Sequence, residues 1–197
     1  NNVALGYLAL GDMSSGSNQV AIGSGAGKQQ TTGSNNILIG KDAARIDSSS
    51  SNVIIGHQAF SSANNSSSTS NVMIGFEVGI SINSANSTDN VIIGNSAGQG
   101  GGAEFTENIA IGSNALNSTG ANATTGIVAI GHNALTALTS GAENTAIGEL
   151  ALKTLTTGSQ NIALGTKALQ EHLTGQKNIA IGAYSMGDTN AGTTSQD

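Results

Sequence analysis

Apolar residues in this chain come in short bursts set between polar, glycine-rich stretches, and the bursts recur. Eleven glycines recur with spacings of 16 to 19 residues, Gly6, Gly23, Gly40, Gly56, Gly75, Gly94, Gly112, Gly131, Gly148, Gly165 and Gly182, and each directly follows an Ile or Leu. Three positions before each glycine the residue is β-branched, from Val3 through Thr145 to Ile179. Four before it stands Asn in nine copies, with Gln19 and Ile127 as exceptions, and three after it stands Ala in nine copies, with Val78 and Ser185 as exceptions. The unit is Asn-(Val/Ile)-x-(Ile/Leu)-Gly-x-x-Ala.

Period-two alternation with β-branched residues, ended by glycine, predicts a short strand. Four residues cannot stand alone, so the copies are expected to stack in parallel and bury a continuous core, as short repeats in arrays do. The predicted fold is all-β: one array over residues 1–197, a parallel β-roll or β-solenoid of eleven coils. With about 4.8 Å between stacked strands, it makes a rod on the order of 50 Å long. The Ser-, Asn- and Gly-rich stretches Ser48 to Ser51, Ser61 to Ser70 and Gln99 to Gly102 are expected to bulge as loops. A helical repeat is disfavoured, because Gly, Asn, Ser and Thr at this density would cost each helix several kcal/mol; only Glu149 to Lys153 looks locally helical.

Alternation makes two further predictions. Asn2, Asn36, Asn52, Asn71, Asn90, Asn108, Asn144, Asn161 and Asn178 should form a column of side-chain amides bonded up and down the stack. If the β-branched residue and the Ile before glycine face inward, the residue between them faces outward. That position is apolar in every copy: Ala4, Ala21, Leu38, Ile54, Met73, Ile92, Ala110, Ala129, Ala146, Ala163 and Ala180. A strand apolar on both faces is buried on both, so Leu38, Ile54, Met73, Ile92, Ala110, Ala129, Ala146, Ala163 and Ala180 are expected to meet another copy of the chain around a shared axis.

Composition narrows the partners. Only 9% of the 197 residues are charged and 3% aromatic, with no Pro, Trp or Cys, so the core must be thin and filled by Val, Ile, Leu and Ala. The net charge of −6 is scattered without a basic stripe, which argues against nucleic acid. Apolar runs of about four residues are too short to span a membrane. No sequence resembling a signal peptide opens the chain.

Chemistry-bearing residues are sparse, and no cofactor, metal or catalytic set is expected. His57 and His132 follow coil glycines in coils that are not neighbours, so they read as surface residues rather than ligands. His172, beside Glu171, reads as a solvated loop residue. Gly98 to Gly102 lacks the Lys-Ser/Thr and helix of a phosphate loop and reads as flexible. Glu77, Asp89, Glu104 and Glu107 are the acids from which a glycosidase pair would have to come. The sequons at Asn64, Asn65, Asn86, Asn117 and Asn122 fall between the strand units.

The units Gly6-Tyr7-Leu8-Ala9-Leu10, Asn144-Thr145-Ala146-Ile147-Gly148 and Thr156 to Gly165 resemble the repeat region of phage-type tail-fibre proteins. They also resemble the heads of trimeric autotransporter adhesins. The resemblance spans essentially the whole chain, and it implies a left-handed β-roll in a homotrimer. Adhesin-head coils are shorter and more even, so the longer Thr-Thr-Gly loops favour the tail-fibre type. The expectation is therefore an extracellular, non-enzymatic fibre segment, cut from a longer fibre, that supports attachment to a host-surface glycan or protein. Alternatives are a cell-surface adhesin head and, less favoured, a polysaccharide-depolymerising glycosidase on a β-helical scaffold.

Overall fold

The computed structural model describes residues 1–45, 49–61, 68–82, 87–100, 104–118, 120 and 122–187. Its strands are β1 (Asn2–Leu5), β2 (Gln19–Ile22), β3 (Ile37–Ile39), β4 (Val53–Ile55), β5 (Val72–Ile74), β6 (Val91–Ile93), β7 (Phe105–Thr106), β8 (Ile109–Ile111), β9 (Thr124–Thr125), β10 (Val128–Ile130), β11 (Thr145–Ile147), β12 (Ile162–Leu164) and β13 (Ile179–Ile181). Eleven of them form one parallel sheet in chain order, β1-β2-β3-β4-β5-β6-β8-β10-β11-β12-β13, while β7 and β9 pair beside it. The fold is the expected all-β solenoid, each strand one turn above the last. Equivalent residues pair throughout, as in Leu38↔Ile54, Ile54↔Met73 and Met73↔Ile92, although the intervening chain varies in length.

The coil closes through left-handed turn residues. Positive φ falls two and four residues after the coil glycine, as at Gln58 (52°) and Phe60 (50°) or Leu150 (59°) and Leu152 (49°), and again one residue before the Asn position, as at Ser70 (59°). This alternation points successive backbone groups up and down the stack: Asp42 N–H bonds the Ser24 carbonyl below (2.8 Å), and Ala44 N–H the Ala59 carbonyl above (2.9 Å). The turns are thus hydrogen-bonded between coils as the strands are. The Glu149–Lys153 stretch that looked helical is one of these turns. Leu at φ > 0 is strained in isolation, and here the stacked neighbours hold it.

The coil glycines are required twice over. Gly112 has φ 128°, and a Cβ built on it would lie 2.6 Å from the Gly131 carbonyl oxygen of the next coil.

The core reverses the predicted facing of the strands. Leu38, Ile54, Met73, Ile92, Ala110, Ala129, Ala146 and Ala163 are 0% exposed and Ala180 2% exposed inside the single chain, packed with the Ala three residues after each glycine and the residue following it. They do not form an outward face. The β-branched residue and the Ile or Leu before glycine point outward, half-buried or exposed. The physical reason is width: a coil of 16 to 19 residues encloses little volume, so its inward strand position is the one that tolerates Ala. The reversal also sorts sizes in most coils, where a large residue meets a small one across the narrow core, the exceptions being Ile54 with Phe60 and Ala21 with Gly27. Where the strand supplies Met73 or Ile92, the facing turn has Gly79 or Gly98, and an added Cβ would meet Met73 Sδ at 3.0 Å or Ile92 Cδ1 at 2.8 Å. Where it supplies Ala110, Ala129, Ala146 or Ala163, the turn has Leu116, Leu135, Leu152 or Leu169.

Of the expected loops, residues 48, 62–67 and 101–102 lie outside the described residues. The ends of these stretches belong to the coil: Ser49 and Ser68 are buried, and Ser50, Thr69 and Thr88 form parallel bridges up the stack. Gly98 is a buried turn residue.

Candidate assembly surface

The Asn column exists and fixes the strand register. Asn52 Oδ1 accepts the backbone N–H of Asn71 (3.0 Å), and Asn71 Oδ1 that of Asn90 (3.1 Å). The amide nitrogen donates upward to a carbonyl entering the next coil, Asn71 Nδ2 to Ser87 (2.8 Å) and Asn90 Nδ2 to Phe105 (2.8 Å). It also donates down to the amide oxygen below, Asn90 Nδ2 to Asn71 Oδ1 at 2.9 Å. Above Asn2 the described Asn side chains are buried, and this bonding is what permits it. At Gln19 the longer amide reaches the Gly33 carbonyl and Gln30 Oε1 (2.9 Å). At Ile127 the column is interrupted: its N–H is still held by Asn108 Oδ1 (3.0 Å), but it offers no amide to Asn144 above.

With the Asn column buried on one edge, the outer face of the sheet carries two apolar ranks. One is the β-branched position, for example Val53, Val72 and Val91; the other is the position before glycine, for example Ile55, Ile74 and Ile93. Both run the whole sheet in register, and Thr145 is the one polar member. Most are half-buried, and Ile37 and Ile147 are 40% and 39% exposed. Beside them runs a polar, exposed column: Asn18, Asn35, Ser51, Ser70, Asp89, Glu107, Glu143, Gln160 and Lys177. Its members bond one another, Asn18 Nδ2 to Asn35 Oδ1 (3.1 Å) and Gln160 Nε2 to Glu143 Oε2 (2.9 Å). Next to it, hydroxyls repeat at Ser17, Ser34, Ser50, Thr69, Thr88, Thr106 and Thr125; Ser34 Oγ accepts Ser17 N–H and Ser50 Oγ accepts Ser34 N–H, both at 3.1 Å. An apolar strip with a polar margin is the anatomy of a protein–protein interface.

The other candidates scatter. His57 stacks on Phe76 one coil up, ring centroids 5.4 Å apart, and His132 Nδ1 lies 4.0 Å from Glu149 Oε1. His172 departs from its solvated reading: it is fully buried, and burial lowers its pKa from the ordinary 6.5. Among the described residues no three His, Cys, Asp or Glu side chains gather as a metal set. Asp89 and Glu107 share the polar column in adjacent coils, whereas Glu77 occupies a turn two residues past its glycine. Of the sequons, Asn64, Asn65 and Asn86 lie outside the described residues; Asn117 is half-buried with its amide on the Ser96 carbonyl (2.8 Å), and Asn122 is exposed with its amide on the Thr139 carbonyl (3.2 Å). No described helix is long and apolar enough to cross a membrane.

Fold and surface together define a parallel β-solenoid repeat protein with one uncharged apolar sheet face. Comparison with protein families, with curated proteins and with solved structures finds no match to the chain.

Proposed function

We propose that this chain is a structural segment of an extracellular homotrimeric fibre of the phage tail-fibre kind, a stiff shaft that supports attachment to a host surface. The observation that carries this reading is the pair of apolar ranks along the full length of the sheet. A continuous apolar strip on a rod is an association site, and closed rotational symmetry lets identical strips cover one another without an open-ended contact. The repeat resemblance supplies the number three and the fibre setting. Stiffness follows from the construction, since the coils are hydrogen-bonded to their neighbours through strand and turn and, except above Ile127, through the Asn column.

Light scattering on the purified chain tests the reading directly, with a trimer mass as the expected result. A monodisperse monomer at micromolar concentration would leave the two ranks without a role and remove the proposal's main support.

A further inference from the structure

His172 sits seven residues after its coil glycine, the position held by Leu138 and Leu155 in the two coils beneath. All three are 0% exposed. One coil down, Asn161 Nδ2 donates to the Gly175 carbonyl at 3.0 Å. Asn178, the last described rung of the column, has its Nδ2 3.1 Å from His172 Nε2 and 3.3 Å from the Gln176 carbonyl while holding Asn161 Oδ1 at 2.9 Å.

An amide nitrogen can only donate, so the Asn178 contact is a hydrogen bond when His172 Nε2 accepts, which is the neutral ring with its hydrogen on Nδ1. Nδ1 is itself buried and has no hydrogen-bond partner. The fit around Nε2 is tight, since a Cβ on Gly175 would meet that atom at 2.5 Å and the Asn178 amide nitrogen at 3.2 Å. A second proton would set an N–H against the Asn178 amide and place a cation in the core, with no carboxylate among the described residues paired to it. The titratable residues of its own turn are Glu171 and Lys177, both exposed, and Lys167, which lies 5.3 Å over the Tyr184 ring. The coil beneath contributes exposed Glu149 and half-buried Lys153, and none of these pairs with His172 among the described residues.

We propose that His172 is an acid-sensitive latch. Its neutral imidazole closes the Asn column at Asn178, and protonation releases the turn between Leu169 and Asn178 from the stack. The sign follows from linkage. Burial lowers the folded pKa below 6.5, so the open turn takes up a proton at a pH where the closed turn does not. Closure is strongest above that value, weakens as pH falls below it and levels off at the folded pKa.

Hydrogen exchange on the full chain at pH 7.5 and pH 5, corrected for intrinsic rates, reads opening of residues 169–178. Opening of the wild-type turn is expected to rise about tenfold at the lower pH. His172→Leu, which copies the coils beneath, and His172→Gln, which copies Gln30 at the same coil position and keeps an acceptor, should both abolish the rise. An unchanged wild-type turn overturns the proposal, and so does an equal rise in either variant that folds; His172→Gln decides if His172→Leu does not fold.

Discussion

Asn71 serves three coils at once, bonding Asn52 below, Asn90 above and the Ser87 carbonyl beside it. Asn71→Leu is expected to cost about 3 kcal/mol in denaturant unfolding, because it strands a buried N–H and a buried carbonyl together. Val at this position should cost similarly, so loss of the amide and not of volume is what the measurement isolates. The coil glycines give a sharper case. Gly94 has φ 142° with the Gly112 carbonyl oxygen 2.5 Å from a built Cβ, so Gly94→Ala should disrupt stacking at that coil. Circular dichroism melting is expected to show a midpoint lowered by many degrees, whereas Gly120→Ala, whose built Cβ comes no nearer than 3.4 Å to the stack, should have a much smaller effect.

At the scale of one coil, stability rests on matching the inward strand residue to its facing turn. Ala146 lies in the same narrow core as Leu152, and Ala146→Ile is expected to destabilise by about 2 kcal/mol through overpacking. Adding Leu152→Gly, which reproduces the Ile92 and Gly98 pairing, should recover part of that loss, and a double-mutant cycle measures the coupling. Additive losses would show that the pairing of sizes is coincidental. This matching was present in the sequence but hidden by the assumption that β-branched residues face the core. The repeat, the strand positions, the parallel stacking and the Asn column were all legible, because each is a statement about spacing. Which face turned inward was not, because alternation gives two sets of residues and does not say which lies inside. The signal that distinguishes them is size: the set containing Ala21, Ala110, Ala129, Ala146, Ala163 and Ala180 suits a narrow interior better than the uniformly large Val and Ile set. His172 escaped for a related reason, since a polar residue in a column of Leu138 and Leu155 reads as a loop residue until the stack is built.

For the whole molecule, the reversal relocates the test of assembly. Val72→Asp with Ile93→Asp, both on the outer face, should lower the mass measured by light scattering while β-sheet circular dichroism persists. Ile54→Asp places a carboxylate in the chain's own core and should unfold the stack, since an unpaired buried charge is not tolerated. If the outer pair leaves the mass unchanged, the apolar ranks are not the contact. The in-register pairing of coils 16 to 19 residues long has one more outcome. Surplus residues are absorbed away from the strand, so length along the axis counts coils and ignores loop size. The molecule is therefore a ruler graduated in single rungs: excising residues 75–93, one full period, should shorten it by about 4.8 Å and leave the faces above and below the cut in phase.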